Sequence, residues 1–260
     1  MDISLENILL IPIGMVIATF ASLIGIGGGL LWAPYFILFK GFDPQKAVMF
    51  SFLIQFVGMG SAAFSNIRQK TILWKMVIRL MPVILVGVVL GSFLNQRVAN
   101  AGILEGILGG VSIMVSIFFA SQTEKYDTDL KVNLSVKPPA WFQGQSLFFG
   151  SLTGFLSIGI GDFLIPVMRS RLKVPMRYAI GTNLFLNFSL ALMGSLLHLF
   201  FSEHSFTGDM IQVLAFSWVG VAIGGQLGSK LLNVIDDSRI KEIFIFAMLI
   251  IGIHLIYKAL

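Results

Sequence analysis

Four glycines occupy five positions at Gly25, Gly27, Gly28 and Gly29, inside a long apolar run. A helix interrupted there leaves the first N–H groups of its next arm unpaired. The same end carries about half a positive charge. Glycine lets backbone approach a ligand closely, so a break of this composition can hold a small anion. A thinner copy, with Gly159 and Gly161, stands in the second half. The stretch after each set adds hydroxyl and amide groups to an otherwise apolar run: Ser51 and Gln55 after the first, Thr182, Asn183 and Asn187 after the second. Ser51/Gln55 and Asn183/Asn187 are each four apart and share a helix face. Such donors suit an oxyanion, and equally suit hydrogen bonds between membrane helices.

Asp162 is the one acidic residue well inside an apolar run. A carboxylate at membrane depth is costly and marks a functional candidate. It could cap a helix starting at Phe163, bind a proton, since burial favours the neutral acid, or hold a cation. The first half has Leu30 at the matching position and manages without a cap, which favours proton coupling.

Other chemistries are excluded by what the chain lacks. It has no cysteine, hence no disulfides, thiolate metal sites or cysteine nucleophile. His198, His204 and His254 share no metal-ligand spacing. There is no nucleophile–base pair and no P-loop, and Leu30 breaks any Gly-x-Gly-x-x-Gly fingerprint. Neither an enzyme, nor a cofactor, nor a metal site is expected.

The elements that must position these residues are membrane helices. Of 260 residues, 56% are apolar and 12% charged, with a mean hydropathy of +0.89. That charge is about half of a soluble domain's share and cannot coat a water-facing surface. Net charge is +5, but in a membrane protein the placement of Lys and Arg matters more than their sum. A nucleic-acid partner is therefore not expected. The first residues carry Asp2 and Glu6 and no Lys or Arg, unlike a secretory signal, so the first apolar segment is expected to stay.

Charge-free runs cover 7–39, 47–67, 80–96, 106–123, 138–161, 178–202, 210–229 and 243–257. The first, at 33 residues, would reach roughly 50 Å as one helix against a hydrocarbon core of about 30 Å. Glycines at 25–29 weaken it by about 1 kcal/mol each relative to alanine, so it should break there. Gly87/Gly91, Gly106/Gly110, Gly150/Gly154 and Gly220/Gly224 read as close-packing pairs.

The second half repeats the first. Ile24 to Pro34 aligns with Leu156 to Pro166, Pro44 with Pro175, Ser51 with Thr182, and Val86 to Gly91 with Val219 to Gly224. Residues 1–121 and 141–260 read as two transmembrane repeats joined by a polar linker at 122–140. Eight simple spans would divide Lys and Arg 8 against 10 between the faces, giving no orientation. Two re-entrant hairpins instead divide them 14 against 4, as the positive-inside rule requires. The expected fold is an all-α polytopic membrane protein of two inverted repeats. Each is a Gly-broken re-entrant segment followed by three transmembrane helices, with both termini outside the cell (inner) membrane. Inverted repeats with interrupted helices are a secondary-transporter pattern, with the site near the midplane.

The segment Gly25-Ile26-Gly27-Gly28-Gly29-Leu30-Leu31-Trp32-Ala33-Pro34 resembles the glycine-rich signature of the sulfite exporter TauE/SafE family of membrane transporters. The copy at 157–166, the Gly181-Thr182 step and the Val-Gly-x-x-x-Gly pair in both halves fit as well. Ser157, Ile160 and Asp162 depart from it, standing where the first half has Gly25, Gly28 and Leu30. The resemblance implies transport of small sulfur-containing anions such as sulfite or organosulfonates. The expected partners are that anion, the lipid bilayer, protons if transport is coupled, and a second copy if the chain forms a homodimer. A passive anion channel and a non-transporting assembly factor are the alternatives.

Overall fold

The computed structural model describes residues 5–98, 100–121, 138–159, 161–201, 207–231 and 237–260, with backbone alone for Leu5, Asp162, Ser170 and 237–241. All the described elements are helices: α1 (Leu5–Ile8), α2 (Leu10–Ile24), α3 (Gly29–Phe39), α4 (Pro44–Arg68), α5 (Trp74–Arg97), α6 (Ala101–Ser121), α7 (Ala140–Leu156), α8 (Gly161–Ser170), α9 (Met176–Phe201), α10 (Gly208–Leu231) and α11 (Asp237–Ala259). Among the described residues, seven stretches are long and apolar enough to cross a membrane: Glu6–Ile24, Pro44–Arg68, Trp74–Arg97, Ala101–Ser121, Met176–Phe201, Gly208–Leu231 and Glu242–Ala259. The chain is a multi-pass membrane protein. Most of the expected linker, 122–137, lies outside the described residues; Pro139 is the N-cap residue of α7.

The order of elements repeats. A broken pair, α2–α3 or α7–α8, precedes three long helices in each half. Both breaks fall where glycine density predicts. Gly25 ends α2 with φ 80°, in the left-handed region that glycine enters without a Cβ penalty. Ser157 ends α7 at the equivalent place with φ 61°. The arms after the breaks are short: α3 has 11 residues and α8 has 10, about 16 Å and 15 Å long, or half the core. Pro34 and Pro166 lie inside them, each removing a donor from the helical ladder.

The packing pairs define directions. Gly220, Gly224 and Gly228 of α10 press on the backbone of Ile11, Met15 and Thr19 of α2, so these two helices run parallel. Gly87 and Gly91 of α5 meet Leu147 and Ser151 of α7, and Gly150 and Gly154 meet Ile84 and Val88, again parallel. Helices α4 and α9 cross the centre antiparallel, with Phe52 against Gly194 and Phe188 against Gly60. Ser116 of α6 donates to the Ile245 carbonyl of α11, and Gly109 meets Gly252, an antiparallel pair. The expected packing role therefore holds at Gly87/Gly91, Gly150/Gly154 and Gly220/Gly224. It fails at Gly106/Gly110: a Cβ on Gly106 has only Ala259 nearby, at 3.7 Å, and one on Gly110 meets nothing. Gly109 faces α11 instead.

Polar ties fix one end of the broken pair. Lys40, just after α3, bridges Glu6 at 3.4 Å, so the chain leaves α3 beside the start of α2. Lys258 of α11 bridges the buried Glu105 of α6 at 2.9 Å and also donates to the Ile37 carbonyl of α3 at 3.3 Å.

Candidate functional site

The two breaks meet. A Cβ added to Gly27 would overlap the backbone of Gly159, and one on Gly159 would overlap Gly27. Gly29 sits against the Ser157 carbonyl, and Gly161 against the Gly25 carbonyl. The two loops thus cross antiparallel, Gly25 to Gly161, Gly27 to Gly159 and Gly29 to Ser157. Each contact has its counterpart when the two halves are exchanged. All of these residues are buried. The glycine density follows directly: side chains at 27, 29, 159 or 161 would collide with backbone, which has no rotamer to move. Gly28 differs. A Cβ there finds Trp32 Cδ1 at 3.4 Å and Gln55 Cγ at 3.8 Å, ordinary contact distances.

Each left-handed break residue has its carbonyl held by an amide from the other half. Gln55 Nε2 of α4 donates to the Ser157 carbonyl at 3.1 Å, to Ser157 Oγ at 2.6 Å and to Ser51 Oγ at 3.2 Å. Ser157 Oγ donates to Ser51 Oγ at 3.1 Å. Asn183 Nδ2 of α9 donates to the Gly25 carbonyl at 2.6 Å. Its Oδ1 is buried and has no hydrogen-bond partner among the described residues. A buried carbonyl or amide that loses its partner costs about 1–3 kcal/mol, so these ties hold a non-helical backbone that lipid could not satisfy.

The residues singled out from sequence are therefore not all together. Gly25, Gly27, Gly28, Gly29, Gly159, Gly161, Ser51, Gln55 and Asn183 lie at the crossing. Asn187 lies one helical turn from Asn183 and is buried. Thr182 is elsewhere engaged: its Oγ1 accepts the Leu73 N–H at 3.0 Å, at the start of α5. The Asp162 side chain lies outside the described residues; its backbone belongs to the first turn of α8. The half-helix starts are also placed differently from a free anion cradle. In this conformation Gly29, the first residue of α3, lies against the Ser157 carbonyl, and Gly161, the first of α8, against the Gly25 carbonyl.

Sequence reasoning passed over a second polar layer beside α7. His198 Nε2 lies 3.1 Å from the Gly154 carbonyl and its Nδ1 3.3 Å from Gln96 Nε2. Asn95 Nδ2 donates to the Phe155 carbonyl at 2.7 Å. These groups serve the last carbonyls before the break, which a helix end must satisfy by side chains. The spacing of Asn95, Gln96 and His198 gives no sign of it, since they come from two helices far apart in the chain.

Comparison with known proteins agrees with this architecture. The sulfite exporter TauE/SafE family matches residues 10–255. The chain belongs to that family. The match takes in both broken pairs and nearly all of α11. Among similar proteins is the "probable membrane transporter protein YunE" of Bacillus subtilis, 24% identical over 97% of this chain and 98% of that protein. "Probable membrane transporter protein MJ0441" of Methanocaldococcus jannaschii is 26% identical over 67% of this chain and 66% of its own length. "Probable membrane transporter protein MamO" of Paramagnetospirillum magneticum is 23% identical over 95% of this chain, which covers 44% of that longer protein. No solved structure matches. Family and relatives together support a membrane transporter.

Proposed function

We propose that this TauE/SafE member is a secondary transporter of a small anion, of the sulfur oxyanion or organosulfonate class, working by alternating access. The reading rests chiefly on the crossing of two broken segments, one from each half, at Gly27 and Gly159. We further propose that the halves, 1–121 and 141–260, are inverted repeats and that α2–α3 and α7–α8 are re-entrant hairpins. Three features support this. Helices α2 and α4 both run parallel to α10, so α3 must return the chain between them. Lys40 meets Glu6 at the hairpin mouth. The 14-to-4 charge division points the same way. The face bearing both termini would then be outside.

In this account the crossing is the closed constriction. Movement of one half against the other separates the loops and opens Gly28, Ser51, Gln55 and Asn183 to the anion. The uncovered half-helix starts then supply N–H donors and positive dipole ends, and the amides exchange their carbonyl partners for the oxyanion. Asp162, at the start of α8, is proposed to bind the coupling proton.

Two experiments test these readings. Cysteine placed singly at Asn100, Lys70 or Arg171, all exposed, reports topology in this cysteine-free chain. Impermeant label should reach Asn100→Cys from outside and neither of the others; Lys70→Cys and Arg171→Cys labelling from opposite faces would restore eight simple spans. For function, proteoliposomes should take up labelled sulfite, thiosulfate, sulfoacetate or taurine in a saturable manner with counterflow. Asp162→Asn should lose acceleration by a pH gradient yet keep exchange. Flux without saturation or counterflow would make the protein a channel, and no flux of any anion would favour an assembly role. Unchanged gradient-driven uptake in Asp162→Asn would remove the proton from the account.

A further inference from the structure

We propose that the cavity between the ends of α4 and α10 binds the phosphate of an anionic phospholipid. The cavity measures about 330 Å³ and is lined by Phe64, Ser65, Arg68, Gln69, Gln226 and Lys230. Its lining holds two cations and no carboxylate. Among the described residues neither cation takes part in an ion pair. The Arg68 guanidinium lies 4.5 Å from the centre of the Phe64 ring, an arrangement that fixes the group while leaving its N–H donors free to meet a phosphate.

The polar wall is preorganised. Gln69 Nε2 donates to Ser65 Oγ at 3.1 Å and to the Ser229 carbonyl at 3.3 Å, and Gln69 Oε1 accepts from Arg177 at 3.4 Å. Basic residues at helix C-termini offset the dipole, but that role requires no cavity between the two ends. Two cations flanking one recess are what a phosphate recognises, and basic pockets between membrane helices are known sites for lipid headgroups.

The surroundings favour a lipid over a free ion. Phe64 is exposed beside the cavity. Val219, Ile223 and Leu227, four apart on α10 and likewise exposed, form an apolar track that ends one turn from Lys230. An acyl chain on that track brings its phosphate to Lys230 and Arg68. The site lies at the helix ends and is independent of what passes the loop crossing.

Native mass spectrometry of the purified full chain, with phosphatidylglycerol or phosphatidylcholine of identical acyl chains, tests the proposal. Phosphatidylglycerol should be retained preferentially. R68Q/K230Q should lower its retention by about fivefold per charge, to the level of phosphatidylcholine. Gln226→Glu should reduce it too, by placing a carboxylate in the recess with both cations intact. Displacement of the lipid by millimolar inorganic phosphate would overturn the lipid assignment and give the cavity to a free oxyanion. An unchanged preference in R68Q/K230Q, or an equal drop in K173Q, a basic residue beyond the cavity, would overturn the site.

Discussion

Gly27→Ala should yield no stable, transporting protein, whereas Gly28→Ala should fold and move anions. The two positions are adjacent, so neither propensity nor membrane depth distinguishes them. The difference is what a methyl group meets. At Gly27 it overlaps the Cα and lies 2.5 Å from the N of Gly159. Overpacking costs about 1–3 kcal/mol where side chains can move aside; here the obstacle is backbone, and the loss should exceed about 3 kcal/mol. At Gly28 the nearest atom is Trp32 Cδ1 at 3.4 Å, an ordinary contact. Gly28→Leu should still fold but fill that space and stop transport. Gly106→Ala, with Ala259 Cβ 3.7 Å away, should match the wild type. Melting temperature in detergent and uptake into proteoliposomes read both effects. A Gly27→Ala protein that melts within about two degrees of wild type and transports would mean that the loops do not cross.

This contrast was only half legible in the sequence. The breaks themselves were: four glycines in five positions and a following proline are local signals, and α2–α3 divides where they stand. The repeated order of the helices was legible as well, because matching blocks stand in the same order in both halves. The crossing was not. It joins residues in opposite halves through backbone, and no residue type announces a backbone contact. Glycine density suggests openings for a ligand, but at 27, 29, 159 and 161 the space beside the glycines is filled by the other loop. Ser157 stood out only as a departure from the glycine pattern; its left-handed φ is sustained by Gln55 and Ser51, partners from the other half. Thr182 aligns with Ser51, yet its hydroxyl accepts the Leu73 N–H at the start of α5 and takes no part in the loop crossing. Gly106/Gly110 matched a packing motif by spacing alone, while the face toward α11 is set by Gly109.

In the proposed transport cycle the two loops touch in the closed state and must separate for an anion to pass. The pair Ser51→Cys/Ser157→Cys tests it, since the parent hydroxyls are 3.1 Å apart and the chain contains no other cysteine. A disulfide there would tie α4 of one half to the break of the other. The measurement is counterflow in proteoliposomes of whichever anion of the sulfite, thiosulfate, sulfoacetate and taurine panel the parent protein carries. Oxidation of the double variant should abolish counterflow, reduction should restore it, and either single cysteine should respond to neither treatment. Full counterflow with the disulfide quantitatively formed would contradict the claim, because the anion would then be crossing without the loops coming apart.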